Sequence, residues 1–451
     1  MFLAMAVPVL AACLAALGFR GREALLGLDL GTTYSSIAVR RPGGIVVAEG
    51  AQGRLGTPSV VAVSAAGTWA VGEAAERVIA AHPARGVVDA KRVIGRPLGD
   101  PMCASEGARH GGRLVQHPTA RRVRATGKAV RTAKQRAHCA TAADACWLDV
   151  AFALELPPEL GALGAAQLAA HACIDPDSLQ QQPGSGARLL LTPQAAACLV
   201  VQDLMAAADR SLGYSVRKAM AATPTDFDAA QRSATLEALE RAGLAVSRLL
   251  HEPTAAAIAY GLHKDPSVHT VLVYDFGGGT LDVSILFSAH GSFTVIGSAG
   301  DNALGGEDVD DCVAARLLAD GGGAGAAGAA CDTVALSAEA ERVKKALCGN
   351  GGEGAAGEAA WACGSASGVL TAAGLEEACG ALFDRGTAPV REALQGAGLR
   401  ISEVDEVVLV GGSTRMPAVR ARLSALFEGK ALRTSVDPDL AVAIGAAASG
   451  D

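Results

Sequence analysis

The chain carries one short pattern twice, and that duplication limits its architecture more than any other feature. Leu26 to Val39, "LGLDLGTTYSSIAV", runs an apolar segment into Asp29, turns at Gly31 with Thr32 and Thr33, and leaves through strand-forming residues. Val271 to Leu286, "VLVYDFGGGTLDVSIL", repeats this around Asp275, Gly277, Gly278, Gly279 and Thr280. Asp29 aligns with Asp275, and Gly31 with Gly277. Two such hairpins far apart in the chain imply two related lobes that offer glycine-rich turns to one shared ligand.

The residue types indicate what that ligand is. Glycine turns with hydroxyls present N–H and O–H donors, whereas an aspartate beside them repels a phosphate unless a cation lies between. The pattern therefore describes a phosphate loop that works with a metal. Asp-x-Gly-Thr also occurs in ordinary turns, so a single copy leaves both readings open. A third turn, "VVLVGGSTRMP" from Val407 to Pro417, ends a buried apolar strand in Gly411 and Gly412, whose bare backbone would let a flat base or a ribose pack on it.

These turns, with "DAKRVIGR" (Asp89 to Arg96), "HEPTAAAIAYGL" (His251 to Leu262) and "LGGEDVD" (Leu304 to Asp310), resemble the ATPase domain of the seventy-kilodalton heat-shock protein family. The resemblance covers about residues 25–100, 218–316, 337–348 and 374–449. It implies an α/β, two-lobed fold of the kind shared with actin and hexokinase, with a nucleotide cleft between lobe I (25–264) and lobe II (265–451). It also implies ATP or ADP as ligand, with Mg2+ and K+ as candidate ions.

Carried over residue by residue, the resemblance places Asp29 and Asp275 on magnesium through its water shell. Gly31, Thr32, Thr33 and Tyr34 would cradle phosphates from the first lobe, and Gly277, Gly278, Gly279 and Thr280 from the second. Lys91 would compensate charge at the terminal phosphate, while Glu252 and Asp282, with Thr280, would orient the attacking water or the metal's waters. Taken alone, Lys91 reads as a surface lysine and Glu252 as a helix cap. On the nucleoside side the matches are Gly305, Gly306, Glu341, Lys344, Gly411, Gly412, Ser413, Arg415 and Asp439. Two positions depart: Lys345 stands where the family usually has an arginine stacking on adenine, and Cys348 where it has a serine. Pro224 and Arg232 match the family's relay of nucleotide state, but Asp226 and Ala229 do not.

Fifty per cent of the 451 residues are hydrophobic, enough for large cores, but aromatics are only 4%, so small residues must build them. The net charge of -7 argues against nucleic-acid binding. Residues 1–18 resemble a signal peptide or an N-terminal anchor, the one membrane contact expected. Eleven cysteines, ten once Cys13 is removed with such a leader, suit an oxidising lumen without C-x-x-C spacing or a readable pairing, and most are read as small core residues. Residues 100–192 read as a low-similarity insert, within which Arg109 to His138 hold nine Lys or Arg and no acid. That window suits a solvated loop, a misplaced exon or a contact for an anionic partner. The glycine- and alanine-rich runs Ala319 to Asp332 and Gly349 to Gly368 read as flexible loops.

A leader followed by an ATPase domain with no peptide-binding domain resembles the microsome-associated branch of the family. The expectation is a monomeric, magnesium-dependent ATPase of the endoplasmic reticulum lumen, indifferent to unfolded peptide. Its expected partners are J-domain co-chaperones or nucleotide-exchange factors. The alternative is a nucleotide-dependent binding module with little turnover, and a sugar or glycerol kinase is a distant third.

Overall fold

The structure, a computed structural model, describes residues 24–41, 43–50, 53–117, 150–175, 178–182, 186–321, 331–349 and 357–450. The expected leader, residues 118–138 of the basic window and residues 139–149 after it lie outside them.

Both hairpins form. Leu25–Leu30 pairs antiparallel with Tyr34–Arg41, and Thr270–Phe276 with Leu281–Ala289. Their first strands are near-continuous apolar runs, as strands covered on both faces require. In each, the aspartate is the one residue not fully buried. Register places Asp29 opposite Ser36 and Asp275 opposite Asp282.

The duplication extends to the sheets. The first runs Ala245–His251, Lys218–Thr223, Leu25–Leu30, Tyr34–Arg41, Gly44–Val47, with Thr57–Pro58 also paired to Tyr34–Arg41. The second runs Leu432–Arg433, Glu406–Val410, Thr270–Phe276, Leu281–Ala289, Ser292–Asp301. Each is an antiparallel meander of three strands extended by two parallel ones. In open sheets of this kind ligands gather at the carboxyl ends of the parallel strands. Asp29, Asp275 and Gly411 all stand at or just beyond those ends.

Each lobe has its own core, one around Leu28, Ile37 and Leu204, the other around Tyr274, Phe276 and Val343. A third cluster, with Ala255, Ala256, Val273, Val410, Ala441 and Val442, joins them. It is built on helices Glu252–Ala259 and Ala441–Ala448, whose alanines let the backbones approach closely. Small residues thus form the junction, consistent with the low aromatic content.

Three expectations need revision. The described parts of 100–192 form a folded layer: helix Pro101–Arg109 and a sheet in the order Leu179–Gln182, Gly186–Leu191, Val150–Glu155, Leu114–Gln116. At the start of the basic window Arg113 is anchored, donating to the carbonyls of His110 and Gly86 at 2.9 and 3.1 Å. Much of the run Gly349 to Gly368 is a hairpin, Glu358–Cys363 with Ala366–Thr371. Its first strand alternates exposed and buried residues, with Ala359, Trp361 and Cys363 inward. The composition hid that period of two. Finally, six cysteines pair, Cys173–Cys198, Cys312–Cys379 and Cys331–Cys363, so these are cross-links rather than isolated core residues.

Candidate functional site

A cleft of about 560 Å³ opens between the lobes where the hairpin tips meet. The tips touch: a side chain added at Gly278 would strike Thr33 Oγ1 at 2.3 Å. Of the residues matched from the sequence to nucleotide, metal or attacking water, Gly305 alone does not line this cleft. It sits behind the second tip, where a Cβ would lie 2.1 Å from the Gly278 carbonyl oxygen, so its contribution is close packing.

The floor is rich in carboxylates. Lys91 rides on the short helix Ala90–Val93, entered through Asp89 at φ 54°, a left-handed conformation that non-glycine residues seldom adopt. From there Lys91 Nζ donates to Glu252 Oε1 at 2.8 Å, and both side chains are 13% exposed. Glu252 is the first residue of helix Glu252–Ala259, and its carboxylate is engaged by Lys91 across the floor. Thr280 Oγ1 donates to Asp282 Oδ2 at 3.3 Å.

Burial, then the charge of Glu252, raises the Asp29 carboxyl to about 7, against the pull of Lys91. Asp282 is raised to about 7 by burial, Asp226 and Glu252, and Asp275 goes well above its usual range for like reasons. Burial alone would lower Lys91, but Glu252, Asp29 and Asp275 outweigh it and hold the ammonium above its ordinary value. The site thus has more buried negative charge than one lysine can balance, which a divalent cation would correct. Among the described residues no group of three or more His, Cys, Asp or Glu is placed to hold a metal ion directly.

The wall matched above to the nucleoside is built by lobe II. Ser413 Oγ donates to the Gly277 carbonyl at 2.8 Å, tying the third turn to the second hairpin. Arg415 is held at the rim by Asp437 and by Asp439 at 2.9 Å. Helix Thr333–Cys348 presents Glu341, Lys344, Lys345 and Cys348 on one wall, at helical spacing. Lys345 Nζ pairs with Glu341 at 2.6 Å, while burial pushes the Cys348 thiol up to about 11. Tyr34, read as a phosphate contact, lies in the field of Lys345 and Glu341 across the cleft and is 39% exposed.

Four cleft-side residues escaped the sequence reading. Arg92 donates to the Gly279 carbonyl at 2.9 Å, and Arg109 to Glu307 Oε2 at 3.4 Å, both between lobes. Thr33 also donates to Glu307, at 3.4 Å. Asp310 accepts from Lys344 at 2.7 Å. Arg92, Glu307 and Asp310 were present in the strings quoted above, but spacing alone could not say what they touch. Arg109 was singled out only as the first residue of the basic window, which gave no hint of a contact with Glu307.

The comparisons agree with this geometry. The family model described as Hsp70 protein matches residues 25–138 and 178–451. "Heat shock 70 kDa protein BIP3" of Oryza sativa subsp. japonica is 36% identical over 431 residues, covering 94% of this chain and 56% of that protein. "Heat shock cognate HSP70 protein" of Trypanosoma brucei brucei is 36% identical over 440 residues, with the same coverage of each. The chain spans about half the length of these curated relatives. With two matching hairpins, the Lys91–Glu252 pair between them and a family match over most of its residues, the chain belongs to the Hsp70 family.

Proposed function

We propose that this chain binds ATP in the inter-lobe cleft and hydrolyses it slowly to ADP and phosphate. The observation that carries this reading is the placement of Lys91 between Asp29, Glu252 and Asp275, beneath two glycine-rich tips that supply backbone donors. Magnesium, when bound, supplies charge neutralisation at the phosphates. The chain's own groups do the rest. Asp29 and Asp275 hold the ion's waters, Glu252 and Asp282 orient the attacking water, Lys91 compensates growing charge, and the tips fix the phosphates. Glu341, Lys344, Ser413 and Arg415 hold the nucleoside.

The reading extends to peptide-independent turnover in the lumen of the endoplasmic reticulum, within protein folding or processing, with J-domain co-chaperones or nucleotide-exchange factors as partners. Three disulfides support an oxidising compartment. Asp226 and Ala229, which replace the family's usual neighbours of the matching relay residues Pro224 and Arg232, support indifference to peptide. A second reading, a nucleotide-dependent binding module with little turnover, is favoured by Lys345 at the base-stacking position.

Single-turnover hydrolysis of ATP with magnesium, with and without excess unfolded polypeptide, tests the first reading against the second. Hydrolysis at one rate under both conditions supports it. Tight ATP binding without hydrolysis favours the binding module. Protease protection of microsomes, with non-reducing mass analysis of the three cystines, tests the compartment.

A further inference from the structure

We propose that the cystine Cys331–Cys363 exchanges with an external dithiol and that its state sets how tightly the cleft holds a nucleotide; the second half rests on the nucleotide reading above. The three cystines differ in access. Cys173 and Cys198 are fully buried, whereas Cys312 and Cys331 are each half-buried and bonded to a buried partner. Cys312 lies within helix Gly306–Asp320, but Cys331 precedes Asp332, the N-cap of helix Thr333–Cys348, outside any helix or strand. A thiolate approaching Cys331 therefore has no helix to displace. It attacks Cys331 Sγ and releases Cys363 as a thiolate; the second thiol of the dithiol then displaces Cys331 from the mixed disulfide. The dithiol leaves as a disulfide, and two electrons and two protons pass to the protein.

The cystine closes a circuit that runs through the cleft wall. Cys363 ends the first strand of the hairpin Glu358–Cys363 with Ala366–Thr371, and Thr371 caps helix Ala372–Arg385 by accepting from the Gly374 N–H at 3.0 Å. Cys379 bonds that helix to Cys312 of helix Gly306–Asp320. Lys344 of helix Thr333–Cys348 completes the circuit, donating to the Gly306 carbonyl at 2.9 Å and to Asp310 at 2.7 Å. Cys331–Cys363 thus lies at one end of helix Thr333–Cys348, and the cleft contacts of Lys344 near the other. Apart from the cystine and the packing of Trp361, exposed hydrogen bonds tie this helix to the hairpin: Glu339 accepts from the Ala362 N–H at 2.8 Å, and Arg342 donates to the Ala360 carbonyl. Opening the cystine widens the range of positions open to the helix that brings Glu341 and Lys344 to the cleft. A nucleotide held by both helices must then restrict that range, and binds more weakly. Linkage requires the converse, so a bound nucleotide holds the cystine closed by the same factor.

The test equilibrates the folded full chain in reduced and oxidised dithiothreitol, with and without ADP and magnesium, and reads each cysteine pair by alkylation and mass analysis. Cys331–Cys363 is expected to open first and Cys173–Cys198 last, with ADP shifting the Cys331–Cys363 equilibrium toward the cystine. Calorimetric titration then compares the oxidised chain, the chain reduced at this pair, and the double variant Cys331→Ser with Cys363→Ser. The latter two should bind ADP about five-fold more weakly or worse, by the factor with which ADP protects the cystine. Inorganic tripolyphosphate, which does not reach the nucleoside wall, should bind all three equally. If the pair opens only together with Cys173–Cys198, it is no exchange site. An unchanged ADP affinity in the reduced chain and the double variant makes the cystine a staple and overturns the coupling, with the nucleotide reading intact. Equal losses for ADP and tripolyphosphate overturn it too, as a general loosening of the protein. No ADP binding by the oxidised chain overturns the nucleotide reading and the coupling together, while the order of opening still decides the exchange site.

Discussion

Lys91 Nζ lies 2.8 Å from Glu252 Oε1, and this contact joins the catalytic lysine proposed for lobe I to the helix that carries the lobe junction. Lys91 also acts on Asp29, Asp275 and Asp282, so one ammonium serves four carboxylates. On the proposed reading, a departing terminal phosphoryl group would add charge beside it, and Lys91 would meet that charge.

Replacing Lys91 with alanine should therefore leave nucleotide binding close to wild type and slow hydrolysis by about 10²-fold or more, as for other pre-organised groups that act on transition-state charge. Single-turnover kinetics beside an equilibrium titration of ADP separates the two effects. An unchanged rate at normal affinity would remove Lys91 from the mechanism.

Glu307 gives a pH dependence of stability. Burial and Asp89 raise its carboxyl to about 7, and the Arg109 pairing at 3.4 Å only partly opposes them. The folded chain then keeps a proton that the unfolded chain releases near its ordinary value of 4.5. Stability from this group falls as pH rises from about 4.5 to about 7 and is level beyond. Asp29, Asp282 and Asp310 act in the same direction. Thermal melting of nucleotide-free protein should show Tm falling across that window, with a shallower slope in Glu307→Gln. A Tm that rises through it would contradict the assignment.

Much of the site was legible because its chemistry is local. Asp29 to Tyr34 and Asp275 to Thr280 are contiguous turns, and a turn's residue types state its shape and its donors. Long-range partners were not legible. The contacts of Glu307 with Thr33 and Arg109 join residues 274 and 198 positions apart, and nothing local records them. The hairpin Glu358–Cys363 with Ala366–Thr371 was missed because glycine and alanine carry little hydrophobic contrast, so Trp361 alone marks its inward face. The cystines escaped because pairing depends on where the chain returns, as for Cys312 and Cys379, 67 positions apart.

The lobe junction rests on a close helix crossing. A Cβ at Gly445 would lie 1.7 Å from the Ala255 carbonyl oxygen, a backbone atom that cannot step aside without shifting helix Glu252–Ala259. Gly445→Ala should destabilise the protein by about 2–3 kcal/mol through overpacking, despite alanine's better helix propensity. Urea unfolding measures this, and a variant as stable as wild type would show that the helices do not cross so closely. Because that helix begins at Glu252, ATP hydrolysis in Gly445→Ala should also fall more than ADP binding.

The wall proposed to face the base offers a gain of function. Lys345 pairs with Glu341 at 2.6 Å and its side chain is 60% exposed, so its ammonium is held along the helix and stays hydrated. A guanidinium is planar, less strongly hydrated and able to stack on an aromatic face while keeping one edge on Glu341. Lys345→Arg should therefore tighten ADP binding by about two- to five-fold, the range of an exposed cation–π contact. Inorganic tripolyphosphate, which has no base, should bind both proteins equally. Calorimetric titration with each ligand decides the matter. Equal gains for both would make the effect one of overall charge geometry, and an unchanged ADP affinity in a folded variant would mean that position 345 does not face the base.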